Sequence, residues 1–278
     1  MPAPSENNKQ TELANKLVVI AGYGDELAVY QRARSLWSFY ASHFPSIEFL
    51  FVRDCPHLSI GEITHDGYDL LIGTGQISTD QQSYAKSGRW SPNENQRQIF
   101  RQILIYEYLL RQGRGNFFVY QSTITSVVDF RGLLCALECM PQTACFAGMP
   151  VRLKAPVELS GLTYCSGANT LLSSDLLKLI CKRYESDSPL SSFPNDIWQG
   201  ILLNDIPIIP LQQFSFTEAR DVLNPLNDIT DNTKRLINSG HFHLRVKTNS
   251  QEQGLAARED IDPWIMIKIM EVVLRTPE

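Results

Sequence analysis

The sequence predicts an α/β fold, with a mixed sheet flanked by helices in a single domain within its 278 residues. Two observations predict it. Short apolar runs rich in β-branched residues, such as LVVIAG at 17–22, are bounded by glycines and have the length of buried strands. Longer segments between them, such as 26–44, repeat apolar residues every three or four positions, which is typical of amphipathic helices. Strands and helices that alternate in this way favour a sheet covered on both faces.

The elements of the first half follow in a regular order. We expect strands at 17–22, 47–53, 68–73 and 116–121, and helices at 26–44, 93–110 and after the N-cap Asp129. Gly22-Tyr23-Gly24 follows the first strand, but Leu27 stands where a dinucleotide fingerprint needs its third glycine. These glycines either let a ligand approach the end of the strand or form a simple turn.

The second half is less regular. Residues 159–170 hold glycines and small polar residues, so we expect a turn before a helix that starts at Ser173 or Ser174. After it we expect a helix from 194, a strand at 206–211 that its prolines confine to an edge, turn-rich residues at 215–240, a strand at 241–247 and a closing helix at 261–274.

Composition limits the classes of protein. Hydrophobic residues make up 43% of the chain, enough for a core, and the net charge of −5 argues against nucleic acid as a partner. Residues 1–15 are polar and are predicted to be a disordered tail before a domain at 16–278. The six cysteines, without zinc-site spacing, are expected to be buried thiols. We find neither a signal-peptide core nor a transmembrane segment in the sequence, which predicts a cytoplasmic protein, with membrane association only at the periphery.

Several blocks, taken in order, resemble one family. They are Arg34 with Trp37, FLFVRD (49–54), YDLLIG (68–73), NFFVYQSTITSVVDFRGLLCAL (116–137), YCSGANTLLSSDLLKLI (164–180), PNDIWQGILL (194–203) and HFHLRVK (241–247). The set resembles GT-A-type glycosyltransferases of the beta-1,3-galactosyltransferase and Fringe-like group, in a microbial branch with a degenerate D-x-D motif. The resemblance implies a GT-A-like domain with a nucleotide-sugar half at 16–150 and an acceptor half at 151–278.

The resemblance also implies an activity: inverting transfer of a sugar from a nucleotide diphosphate sugar to a hydroxyl of a glycan or glycolipid acceptor. Asp196 stands where inverting members place the general base, although a residue in the first turn of a helix also serves the helix N-terminus. The predicted donor contacts at the strand ends are Ala21, Gly22, Tyr23, Ser122, Thr123 and Thr125. The predicted acceptor contacts are Ser166, Gly167, Asn169 and Trp198, with a tight turn before a helix as the alternative for residues 166–169.

The metal motif departs from the family. Metal-dependent members carry D-x-D where this chain has Ser122 to Ser126, which offers hydroxyls but no carboxylate. The dependence on Mn²⁺ or Mg²⁺ is therefore open. Without a metal ion, cationic side chains would have to stabilise the leaving diphosphate. The predicted ones are His243, Arg245 and Lys247, which alternate on a single strand face with His241, together with Arg258; a solvated strand face is the alternative.

Two interpretations stay open. Asp260-Ile261-Asp262 is a literal D-x-D, so Asp260 and Asp262, with His241, are weak metal candidates, but the sequence favours N-capping of the last helix for the two aspartates. The missing D-x-D also fits a non-catalytic sugar- or nucleotide-binding protein that retains the fold. The retained Asp196 argues for an enzyme.

Overall fold

The structure is a computed structural model that describes residues 6–22, 28–75, 91–154, 159–184, 193–216, 228–248 and 250–275. The strands in chain order are β1 (Leu17–Gly22), β2 (Glu48–Asp54), β3 (Ile63–Asp66), β4 (Asp69–Ile72), β5 (Phe118–Thr123), β6 (Ser126–Val128), β7 (Phe146–Arg152), β8 (Thr163–Ser173), β9 (Ile208–Pro210), β10 (Gln213–Phe216) and β11 (His243–Val246). The helices are α1 (Glu6–Ala14), α2 (Ala28–Ala41), α3 (Pro92–Arg111), α4 (Phe130–Leu137), α5 (Ser174–Arg183), α6 (Asn195–Leu202), α7 (Ile229–Asn238) and α8 (Ser250–Arg275).

A mixed sheet of eight strands lies at the centre, in the order β3-β4-β2-β1-β5-β8-β7-β9. β1 pairs in parallel with β2 on one side and with β5 on the other. β8 runs antiparallel between β5 and β7. The chain thus moves outward from β1 through β2 to β4 and then returns to β5. This reversal opens a crevice at the carboxyl ends of β1 and β5, where open α/β sheets bind ligands.

Helices cover both faces of the sheet, which confirms the predicted layered α/β architecture. Val19 and Ala21 of β1 face a core built with α2, α4 and α8, whereas Val18 and Ile20 face a second core built with α3, α5 and α6. Because both faces of β1 are buried, the strand shows no polar alternation.

A second sheet brings the late strand over the crevice. β11 pairs in parallel with β10 and antiparallel with β6, which follows β5 directly. The N–H of Val246 also donates to the carbonyl of Thr125 at 2.8 Å. This small sheet carries Arg245 to the end of β5.

Four predictions of local structure need correction. The predicted tail at 1–15 contains helix α1, whose Leu13 and Ala14 are buried in the first core. Residues 163–173 form the long strand β8 rather than a turn, because two neighbouring strands complete its hydrogen bonds. Residues 229–238 form helix α7, capped by Asp228. α8 begins at Ser250, so Asp260 and Asp262 lie inside it and do not cap it.

The cysteine prediction holds only in part. Cys145 and Cys165 are buried, but Cys135 and Cys139 are exposed. Within the described ranges, no helix combines the length and the apolar character needed to cross a membrane.

Candidate functional site

A cavity of about 640 Å³ opens at the carboxyl ends of β1, β2 and β5. Gly22, Val52 and residues 121–125 form its floor. The first turns of α3 and the beginning of α6 form two walls, and β8 and β11 complete the lining. The cavity therefore occupies the crevice that the strand order creates.

Asp196 lies in the wall that α6 forms. The first turn of α6 follows Pro194, and the Asp196 Oδ1 atom accepts a hydrogen bond from the N–H of Ile197 at 2.9 Å. Its Oδ2 atom accepts a bond from the N–H of Gly167 on β8 at 3.2 Å. Pro194 is the N-cap residue but makes no side-chain cap hydrogen bond, and Asp196 lies in the first turn, where its bond from Ile197 also serves the helix N-terminus.

Burial raises the pKa of the Asp196 carboxyl above its ordinary value of 3.8. The hydrogen bonds from Gly167 and Ile197, together with the charge of Arg245, act in the opposite direction. A carboxylate of raised basicity in a cavity has the properties of a general base.

Arg245 approaches the cavity from β11. Its Nε atom is buried and makes no hydrogen bond within the described part of the chain. Lys247, two positions after Arg245 and just beyond β11, lines the same cavity. Both predicted cations thus line the cavity.

Helix α3 adds a cluster of charges that the sequence analysis missed. Asp54, the last residue of β2, accepts hydrogen bonds through Oδ2 from Arg97 and from Nη1 of Arg101, the latter at 3.1 Å. Arg97 also donates through Nε to Glu94 at 3.0 Å. Arginines spaced four residues apart on a helix lie on one face, and this spacing could have predicted the cluster.

A buried hydroxyl joins the two halves beneath the cavity. The Tyr106 hydroxyl of α3 accepts hydrogen bonds from the amides of Gln121 on β5 and Gln199 on α6, the latter at 2.7 Å. Because Gln199 is only three residues beyond Asp196, this network fixes α6 against the end of β5. The position of Asp196 is thus tied to the sheet.

Residues 122–126 present hydroxyl groups to the cavity. Ser122, Thr123 and Thr125 line it, and the hydroxyls of Thr123 and Ser126 lie 2.9 Å apart. The carboxylates of Asp54, at the end of β2, and of Glu94, on α3, are bound by arginines. These residues do not fit a divalent cation, which needs several carboxylate or carbonyl oxygens.

The cavity brings together most of the predicted contacts. The predicted residues that line it are Gly22, Ser122, Thr123, Thr125, Ser166, Gly167, Asp196, Arg245 and Lys247. Tyr23 lies outside the described residues. Ala21 is wholly buried in the first core and does not line the cavity, so the structure does not bring it together with the other predicted donor contacts.

Two predicted acceptor contacts are also corrected. Asn169 is buried in β8, where its side chain accepts from the Tyr120 hydroxyl at 2.9 Å and donates to the Gln212 carbonyl at 3.3 Å. Trp198 is 2% exposed and packs edge-on against Tyr184 in the second core. Burial of Trp198 removes a large aromatic surface from water, and burial of Asn169 is possible because its amide group is hydrogen-bonded.

His243 is not a cavity cation. It is fully buried, and its Nδ1 lies 2.7 Å from the Tyr120 hydroxyl. Burial, followed by the charge of Arg245, lowers its pKa to about 3, so the ring is neutral near pH 7. The first residue of β11 is therefore buried, and only the later Arg245 and Lys247 line the cavity.

The weak metal candidates do not converge. Asp262 is bound by Arg258 and by the Thr248 hydroxyl at 2.6 Å. Asp260 forms an exposed ion pair with Arg32, and His241 contacts Ser239. No group of three metal-ligating side chains occurs among the residues that the structure describes.

Comparison with known proteins adds no identification. No family model matches the chain, and no curated protein matches it.

Proposed function

We propose that the protein transfers a sugar from a nucleotide diphosphate sugar to a hydroxyl of a glycan or glycolipid acceptor, with inversion at the anomeric carbon. The observation that supports this most is the shared cavity of Asp196 and Arg245. One of them is a base of raised pKa, and the other is a cation whose Nε has no hydrogen-bond partner in the described part of the chain.

The donor fits the crevice end of the cavity. A ligand with phosphates is favoured at the carboxyl ends of strands where the order of the sheet reverses. Gly22 and Thr123 lie side by side there and leave the backbone accessible. The ordered blocks that resemble GT-A-type glycosyltransferases support the same placement, and a GT-A-like fold is part of this proposal.

The chemistry is a single displacement. Asp196 takes the proton of the acceptor hydroxyl while that oxygen forms a bond to the anomeric carbon, and the bond from this carbon to the diphosphate oxygen breaks. The diphosphate leaves with an added negative charge, which Arg245 and Lys247 stabilise. Ser166 and Gly167, beside Asp196, form the acceptor side. We place the reaction in the cytoplasm, where the free thiols would stay reduced.

A non-catalytic sugar- or nucleotide-binding protein is the second candidate. It is favoured by the hydroxyl-lined segment at 122–126, where metal-dependent members of the GT-A-type group that the chain resembles carry D-x-D. Such a protein would bind the donor with no turnover.

A melting-temperature panel tests the proposal. Uridine, guanosine, thymidine and cytidine diphosphates and their common sugars are each added with Mn²⁺ and with chelator, because a ligand of the native state raises the melting temperature. We expect one nucleotide to stabilise the protein in chelator, and its sugar to be turned over when a glycan acceptor is present. Stabilisation without turnover for any acceptor supports the binding protein, and no stabilisation by any nucleotide contradicts both the transferase and a nucleotide-binding protein.

A further inference from the structure

We propose that Arg101 on α3 and Arg245 on β11 form a two-sided clamp for the diphosphate of the donor, with Asp54 as the positioning residue for Arg101. This inference rests on the proposed function and names the groups that bind its leaving group. Arg101 lies on a helix and Arg245 on a strand of the small sheet, and both side chains line the one cavity.

Arg101 has N–H groups that no described residue accepts a hydrogen bond from. Its Nη1 is bound to Asp54 at 3.1 Å, whereas Nη2 has no hydrogen-bond partner within the described residues. The Asp54 carboxylate is held in place, because its Oδ1 accepts a hydrogen bond from the Thr74 hydroxyl at 3.0 Å and its Oδ2 also binds Arg97. The guanidinium of Arg101 is therefore oriented by a carboxylate that is itself held in place.

The free end of Arg101 lies over the first strand. A Cβ atom built on Gly22 would come 3.5 Å from Arg101 Nη2, so this nitrogen stands at contact distance from the carboxyl end of β1. The glycine leaves space beside the guanidinium for an acceptor atom. That is the position at which phosphates bind in parallel α/β sheets.

Arg245 supplies the second set of donors. Its buried Nε has no partner among the described residues, and a buried donor without an acceptor is costly unless a ligand satisfies it. Arginine presents several N–H groups in a fixed plane, which suits phosphate oxygens. Two such groups that line one cavity from different elements match a ligand with two linked anionic groups better than one with a single group.

Calorimetric titration with inorganic pyrophosphate in chelator tests the clamp. We expect the wild type to bind pyrophosphate about tenfold or more tightly than inorganic phosphate. Arg101→Gln and Arg245→Gln should each weaken pyrophosphate binding by about 10- to 100-fold, the range expected for the loss of a charged hydrogen bond. Arg111→Gln is the matched control, since Arg111 lies on the same helix but pairs with Glu107 at the surface; it should change the Kd less than twofold.

A second kind of variant tests the clamp without removing a charge. Gly22→Ala adds a methyl group at ordinary contact distance from Arg101, so the fold should be kept while the space beside Nη2 is filled. We expect pyrophosphate binding to weaken at least fivefold with an unchanged melting temperature. Gly115→Ala, where a Cβ would meet nothing within 4 Å, is its control.

The outcomes separate the two proposals. If wild type does not bind pyrophosphate, or if Arg101→Gln and Gly22→Ala both bind it as tightly as their controls, the clamp is wrong even where sugar transfer is observed. If the variants lose binding and no donor is turned over by the wild type, the clamp stands and the transferase proposal fails. Should Arg101→Gln not fold, Gly22→Ala decides.

Discussion

The Asp196 carboxylate on α6 accepts a hydrogen bond from the backbone N–H of Gly167 on β8, at 3.2 Å. This contact joins the proposed base to the strand that pairs with β5, whose end forms the floor of the cavity. It also depends on a residue without a side chain, because a Cβ on Gly167 would come within 3.3 Å of the Asp196 Cβ. The position of the base is therefore set by the backbone of β8.

Gly167→Ala should lower kcat by about tenfold while donor binding is unchanged, since misplacing a reacting group by a fraction of an ångström reduces the rate. The added methyl would also come within 3.4 Å of Oδ2 and push the carboxylate from its position. Steady-state kinetics and the melting temperature measure the two effects. Gly115→Ala is the control, and equal kcat values for the two variants would contradict this role of Gly167.

The pH profile of kcat/KM should show an acid limb above pH 3.8, because burial raises the pKa of the Asp196 carboxyl and only the ionised form accepts a proton. Arg245 lowers this pKa, so removing its charge should raise it further. Arg245→Gln is therefore expected to move the acid limb to higher pH, apart from any loss in maximal rate. A limb that moves to lower pH, or stays in place, would contradict the coupling of the two residues.

His243 should make stability depend on pH. Burial lowers its pKa to about 3, below the ordinary 6.5, so the unfolded chain binds a proton first as the pH falls. The contribution of neutral His243 to the free energy of unfolding is therefore fully present above pH 6.5. It is lost as the pH falls from 6.5 towards 3, by up to about 1.4 kcal/mol per pH unit.

His243→Asn keeps an N–H donor for the Tyr120 hydroxyl and removes the titrating ring. In urea unfolding at several pH values, the variant should lose less stability than wild type between pH 7 and pH 5. Parallel stability curves for the two proteins would show that this histidine is not protonated on unfolding.

The sequence predicts the first half of the fold closely. The run at 17–22 is β1, and the helix predicted at 93–110 is α3, because strong periodicity and clear glycine or proline boundaries coincide there. The N-cap Asp129 is confirmed by its hydrogen bond to the N–H of Arg131. The strand at 208–210 lies at the edge of the sheet, as its prolines require.

The remaining elements depend on contacts between distant residues. β8 is rich in glycine and small polar residues, and it is a strand because β5 and β7 pair with it on either side. Alternation places His243 and Arg245 on one face of β11, but it does not tell which of them the first core covers. Likewise, Asp54 and Arg101 are 47 positions apart, and only the fold brings them together.

The measurement that tests the central claim most directly is turnover by Asp196→Asn, with the donor selected by the melting-temperature panel. Asn retains an oxygen for the Gly167 N–H but cannot take up a proton, so kcat should fall by about 10²- to 10⁴-fold while the donor Kd stays within twofold. Asp231→Asn, in the exposed first turn of α7, should leave kcat unchanged. Turnover by Asp196→Asn within twofold of wild type would contradict the account of Asp196 as the base.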